Sequence, residues 1–155
     1  YRSNQNTTRL KAHQMNSSNL KIIINQTKDI NVNFNIIETV KRICATKGLK
    51  SGHLEFNFIS NDEIKKINIE HLDHHYETDI ITFNLSENGE LHGDIYISVD
   101  EAEENAKEYN STYQNEIKLL LIHGILHLLN YNDNNEKNKE IMRNEEKRVL
   151  NLIDV

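Results

Sequence analysis

Apolar residues along this chain alternate with polar ones in some stretches and recur every three to four positions in others, and the switch marks the elements. Leu20 to Ile24, rich in β-branched residues, reads as a first strand. Ile36, Ile37, Val40 and Ile43 follow at helical spacing, with Asn33 or Asn35 as N-cap and Gly48 as a stop. Leu54, Phe56 and Phe58 alternate with Glu55 and Asn57, the pattern of a half-buried strand. Ser60 with Glu63 forms a capping box that opens a helix whose inner face is Ile64 and Ile67. Asp79 to Asn84 and Asp94 to Val99 read as two strands joined by a turn at Asn88-Gly89. Asp100 is expected to cap an acidic helix through Tyr109, and a long helix runs from Tyr113 to Leu129. A last amphipathic helix, Glu136 to Leu150, is expected to bury Ile141, Met142 and Val149. The order β-α-β-α-β-β-α-α-α predicts one α+β domain over residues 19–155, a small mixed sheet covered by helices.

Residues 1–18 break the pattern. They are rich in Asn, Gln, Ser and Thr without an apolar period, and read as a disordered extension. Being acid-poor, the stretch has a faint look of an organellar targeting remnant, with a bland extension the leading expectation and the cytoplasm the expected location. Its Arg2, Arg9 and Lys11 also mask the charge of the rest. The whole chain is −6; removing those three from 18 basic residues leaves 15 against 24 acids, net −9. That sign is wrong for a non-specific nucleic-acid binder. The single cysteine, Cys44, excludes an internal disulfide framework or a Cys-rich zinc module. No apolar run exceeds Leu119 to Ile122, far below the roughly 18 residues of a membrane span.

The candidate chemistry lies in Glu116 to Asn130. From Leu119 onward this helix is apolar nearly all round, apart from His123, Gly124 and His127. Histidines four apart project from one face and can bind one metal ion, the spacing used by H-E-x-x-H zinc enzymes. Gly124 costs about 1 kcal/mol relative to Ala inside a helix, so a close approach to the backbone is expected there. Asn130 suits a left-handed stop, and Asp133 beyond it can fold back toward the histidines. His-x₃-His-x₅-Asp offers two imidazoles and a carboxylate, a set that suits zinc or non-haem iron. Gly124 stands where a zinc protease of this type carries its glutamate base, which disfavours peptide hydrolysis.

The segment His123-Gly-Ile-Leu-His127-Leu-Leu-Asn-Tyr131-Asn-Asp133 is similar to the H-G-x-L-H-L-x-G-Y-D-H signature of the YbeY family. Thr78-Asp79-Ile80-Ile81-Thr82-Phe83 resembles that family's P-T-D-V-L-S-F strand, and Gly93-Asp94-Ile95-Tyr96-Ile97-Ser98 its G-D-I-x-I-S strand. The likeness extends over roughly residues 20–152. It implies a zincin-like domain with the metal site on a helix and the following turn. It also implies a zinc-dependent endoribonuclease of small-subunit rRNA maturation and ribosome quality control. One Zn²⁺ per chain would be held by His123, His127 and Asp133, the last replacing the family's third histidine. An aspartate there keeps an oxygen ligand but adds negative charge, which should raise the pKa of a bound water relative to three histidines. The family's usual Arg falls at Leu72, so its phosphate-positioning role does not carry over; Lys65, Lys66, His74 and His75 are the nearby RNA-binding candidates. Asp94 is the candidate general base. The expected partners are a single-stranded rRNA precursor and the small ribosomal subunit or its proteins. A non-catalytic, zinc-stabilised assembly factor docking on a basic ribosomal protein is the alternative, and the acidic body suits it.

Overall fold

Each long helix begins where a short polar side chain takes up free backbone N–H groups. In the computed structural model, which describes residues 8–11, 19–72 and 78–154, helix α1 (Ile36–Thr46) starts at Asn35, whose Oδ1 accepts from Glu38 N at 3.0 Å. Helix α2 (Asn61–Leu72) opens with the expected box: Glu63 N donates to Ser60 Oγ and Ser60 N to Glu63 Oε1, both at 3.2 Å. Helix α3 (Val99–Glu108) corrects the expectation, because its cap is Ser98, which accepts from Glu101 N at 3.1 Å. Asp100 lies within the first turn, where its carboxylate accepts from Asn61 N at 2.9 Å and pairs with Lys28 at 3.1 Å. Thr112 caps α4 (Tyr113–Leu128) and Asn135 caps α5 (Glu136–Ile153).

Five strands, β1 (Thr8–Lys11), β2 (Asn19–Gln26), β3 (Ser51–Ile59), β4 (Ile80–Asn84) and β5 (His92–Ser98), form one sheet in the order β1-β2-β3-β5-β4. β2, β3 and β5 are parallel, and β1 and β4 close the two edges antiparallel, so the sheet is mixed as expected. β1 lies within the stretch expected to be disordered; its four residues pair with the outer edge of β2, whose backbone groups would otherwise lack partners on that side. The β4–β5 connection turns at Asn88 and Gly89 with φ of 53° and 78°, the conformation that favours Asn-Gly.

One sheet face carries the main core: Ile22, Ile24, Leu54, Phe56, Phe58, Ile95 and Ile97 meet α1, α4 and α5. Full burial of each such side chain stabilises by roughly 1.5–3 kcal/mol relative to exposure. On the other face, Ile64 of α2 packs with Ile59, Ile81 and Tyr96 in a smaller cluster. In α5 the buried positions are Met142, Val149 and Ile153, whereas Ile141 is 46% exposed, against the expectation that it packs inward.

β3 is not half-buried, because Glu55 and Asn57 are also covered. They join a polar row across the strands: Asn25 Nδ2 donates to Glu55 Oε2 at 3.0 Å and Asn57 Oδ1 at 2.9 Å, and Asn57 Nδ2 donates to Asp94 Oδ1 at 2.8 Å. Buried polar groups persist when they find partners, and this row supplies them.

Two glycines let α4 lie close on the sheet. At Gly124, an added Cβ would sit 3.2 Å from two Ile95 carbons and 3.3 Å from Ile80 Cδ1, the backbone approach anticipated there. At Gly93, a Cβ would overlap the Leu128 Cδ1 methyl and lie 3.1 Å from Leu128 Cγ, under a side chain that is 2% exposed. Gly93→Ala is therefore expected to destabilise the protein by about 1–3 kcal/mol. Urea unfolding would show it as a lower midpoint at unchanged slope.

Candidate metal centre

The site begins with a helix too apolar to face water. Ile117, Leu121, Ile122, Ile125 and Leu126 of α4 are fully buried, which leaves His123 and His127 on the remaining strip, with side chains 20% and 27% exposed. Their rings meet edge to face with centroids 4.5 Å apart, and the two Nε2 atoms face each other at 3.0 Å. Two lone pairs repel at that distance, so a proton or a cation must lie between them.

The helix ends in a Schellman turn: Asn130 N donates to His127 O and Tyr131 N to Leu126 O, each at 3.0 Å, with Asn130 at φ 72°. The reversal returns Asp133 to the histidines. Its Oδ2 lies 3.7 Å from His123 Nε2 and 3.6 Å from His127 Nε2. These donor atoms all lie within 4.8 Å of one another, and they form the one group of three or more such side chains, among the described residues, able to hold a metal ion. A tetrahedral zinc with bonds of about 2.0–2.1 Å separates neighbouring donors by about 3.3–3.4 Å. The separations seen bracket that value, and the donor set suits a first-row divalent ion.

Glu146 of α5, absent from the expectations above, completes the support of His123. Its Oε2 lies 2.5 Å from His123 Nδ1. A carboxylate can only accept there, so Nδ1 carries the proton and Nε2 keeps its lone pair toward Asp133. Burial opposes the charged form of His123, but the hydrogen bond and charge of Glu146, with Asp133 and Asp79, leave its pKa raised. For His127, burial and then the neighbouring His123 push the pKa down.

The centre opens into a cleft of about 400 Å³ whose other wall includes Asn68 of α2, Asp79 at the start of β4, and Thr82 and Asn84 along it. That volume is within the range of small-molecule sites. Asp79 is held from two sides: Asn105 Nδ2 donates to its Oδ2 at 3.1 Å, and Ser98 N to its carbonyl at 2.9 Å. No Lys or Arg is among the described residues that line the cleft. Lys65 and Lys66 are exposed on α2 outside it, and His74 and His75 lie outside the described residues.

Asp94 is not in this cleft. Along β5, Ile95 and Ile97 face α4 and Gly93 meets Leu128, so Asp94 points to the opposite sheet face, 3% exposed. There it accepts from Asn57 at 2.8 Å and from the Tyr96 hydroxyl at 3.2 Å. Strand alternation puts the sheet between it and the histidines. Glu146 lies on the last helix, 23 residues from His123, and no local pattern ties the two. Asp79 sits in the Thr78–Phe83 motif, where only the resemblance could have flagged it.

The turn carrying Asp133 is tied down through Tyr131. Lys47 Nζ donates to the Tyr131 hydroxyl at 2.8 Å and pairs with Glu145, which also receives Arg148 Nε at 2.6 Å and Nη2 at 2.8 Å. The Arg148 fork, with Lys47, holds the Glu145 carboxyl down to about 2 against the opposing effect of burial. A depressed carboxyl pKa stabilises above its ordinary value of 4.5, and that contribution is lost as pH falls from there through about 2. Glu145→Gln should therefore lower the melting temperature at pH 7, with the gap from wild type closing as pH drops toward 2. A gap independent of pH would show that the charge contributes nothing.

Comparison with known proteins finds likeness over most of the chain. The family model described as endoribonuclease YbeY matches residues 22–154. The endoribonuclease YbeY of Parabacteroides distasonis is 38% identical over 114 residues, 74% of this chain and 80% of that protein. That of Christiangramia forsetii is 40% identical over 104 residues, 67% of this chain and 73% of its own. The solution structure of TM1509 from Thermotoga maritima superposes with a TM-score of 0.57 at 27% identity, covering 86% of this chain and 88% of that one.

Proposed function

The chain belongs to the YbeY family, and from that premise we propose that it is a zinc-dependent endoribonuclease that cleaves single-stranded rRNA precursors during small-subunit maturation and quality control. The observation that carries the reading is the convergence of His123 Nε2, His127 Nε2 and Asp133 Oδ2 at the mouth of a cleft large enough for a nucleoside. Zinc bound by these three donors would acidify a coordinated water and neutralise charge that develops on the phosphate.

The other residues divide the remaining work. Glu146 fixes the tautomer and rotation of His123. Asp79 replaces Asp94 as the proposed base, its carboxylate oriented by Asn105 so that the free oxygen can take the proton of the attacking oxygen. Thr82 and Asn84 offer uncharged donors and acceptors suited to a base or ribose. The −9 body and a cleft lined by described residues without Lys or Arg make metal charge and partner surfaces the expected sources of attraction for RNA, with the exposed Lys65 and Lys66 of α2 as candidate backbone contacts. A basic-faced protein of the small subunit is the partner such a body would suit. No described helix is long and apolar enough to cross a membrane. Cytoplasmic action on assembling ribosomes is part of the same proposal.

Three protein donors, with Asp133 46% exposed, favour catalysis over the non-catalytic assembly factor, since a purely structural zinc is closed by four. Protease chemistry lacks support: position 124, where its glutamate would stand, faces Ile95 and Ile80 of the sheet. The test is cleavage of a defined single-stranded RNA before chelation, after chelation and after zinc is restored, with casein in parallel. RNA cleavage that disappears and returns with the metal is expected. Cleavage indifferent to chelation, or casein cleaved instead, would overturn the reading.

A further inference from the structure

Of the three candidate ligands, His123 and His127 are fixed by a buried helix, but Asp133 is carried on a turn and is the most exposed. A carboxylate on a mobile turn is a poor ligand, because binding must first order the backbone that bears it. What orders that turn here is a cluster on its far side. Tyr131, two residues before Asp133, accepts at its hydroxyl from Lys47 Nζ, at the end of α1, and donates to Glu145 Oε2 at 3.4 Å. Lys47 also pairs directly with Glu145, and the side chains of both are only 14% and 13% exposed. Arg148 closes the cluster with its two hydrogen bonds to Glu145. The adjacent residue of α5, Glu146, binds His123. Consecutive carboxylates of one helix thus support the two halves of the centre, Glu145 the turn and Glu146 the helix.

We propose that Lys47, Glu145 and Arg148 form a clamp on Tyr131 that positions Asp133 and so sets the metal affinity of the centre. The proposal rests on His123, His127 and Asp133 being the ligands. These clamp residues touch neither metal nor substrate and act through Tyr131 alone. The pair is mostly covered and its carboxylate is also bound by a guanidinium, so removing Lys47 takes away the donor to the Tyr131 hydroxyl and leaves Glu145 with one cation fewer.

The experiment is a competition titration of the full chain with zinc and a chromophoric chelator, alongside urea unfolding of each variant. Lys47→Met should weaken zinc binding by about 10–100-fold, the usual effect of losing outer support of a metal ligand. Lys47→Arg, which keeps charge and donors, should recover most of it. Tyr131→Phe, which removes one hydroxyl from a partly buried ring, should fall between them, and it carries the test if Lys47→Met does not fold. Lys118→Met breaks an ion pair outside the clamp, from α4 to the C-cap of α5, Lys118 to Asp154 at 2.9 Å, and should leave zinc affinity unchanged. If wild type binds one zinc that His127→Ala abolishes, while the Lys47 and Tyr131 variants stay within twofold of wild type, the clamp is overturned and the centre stands. Wild type that binds no zinc overturns both. Equal weakening in Lys118→Met would reduce the effect to general destabilisation and overturn the clamp as a positioning device.

Discussion

His127→Ala should leave a folded protein that no longer retains zinc and cleaves RNA at background rate. The side chain is 27% exposed and lies on the open strip of α4, outside the core that Leu121, Ile125 and Leu126 build, so its loss opens no apolar cavity. Its Nε2, by contrast, is one of three donors, and the remaining imidazole and carboxylate make a two-point site. Metal-ion catalysis supplies several kcal/mol of transition-state stabilisation, and each 1.36 kcal/mol is tenfold in rate, so a loss of about 10³-fold or more is expected. Metal analysis of protein purified without a metal-binding tag should find about one zinc in wild type and none in the variant. The stabilisation that added zinc gives wild type in a melting experiment should vanish with it. Equal cleavage by variant and wild type would identify the activity as a contaminating nuclease.

Asp79→Asn should lower kcat by 10²–10⁴-fold, roughly 3–5 kcal/mol, while zinc content and KM change little. The substitution keeps shape and a carbonyl able to accept from Asn105, but it removes the basic carboxylate from the cleft lining. Asp94→Asn makes the contrasting case. That carboxylate accepts from Asn57 and Tyr96 on the far sheet face, so its replacement should cost stability and leave the rate of the folded fraction near wild type. Stability is read from urea midpoints and rate from single-turnover cleavage. If Asp94→Asn were the slow enzyme and Asp79→Asn the wild-type-like one, the assignment of the base would be reversed.

Much of the centre is local, and what is local was legible. The i, i+4 histidines share a face because a helix turns 3.6 residues at a time, and Asn130 marks the turn because asparagine tolerates a positive φ better than most residues. Asp133 follows within reach of that turn. Element boundaries fared similarly: Asn35, the Ser60–Glu63 box and Asn88-Gly89 act through neighbours three or fewer residues away. The α3 cap shows the margin of such reasoning. Ser98 and Asp100 both have cap chemistry, and the choice fell to Ser98 because Asn61 N and Lys28, remote in sequence, occupy Asp100.

The sequence by itself therefore determined the helix and its two imidazoles, the turn and its carboxylate, and the alternation of β5. Tertiary structure decided which face of that strand meets α4, and with it that Asp79, not Asp94, enters the cleft. It also brought Glu146 to His123 across 23 residues and Lys47 to Tyr131 across 84. The reason is one of range. Helical and strand periods fix directions relative to a residue's own backbone, whereas partners on separate elements meet only after the buried Ile, Leu and Phe faces have packed. The same packing explains why Glu55 and Asn57 ended in a buried polar row and Ile141 in solvent: period says which residues share a face, and only assembly says what covers it.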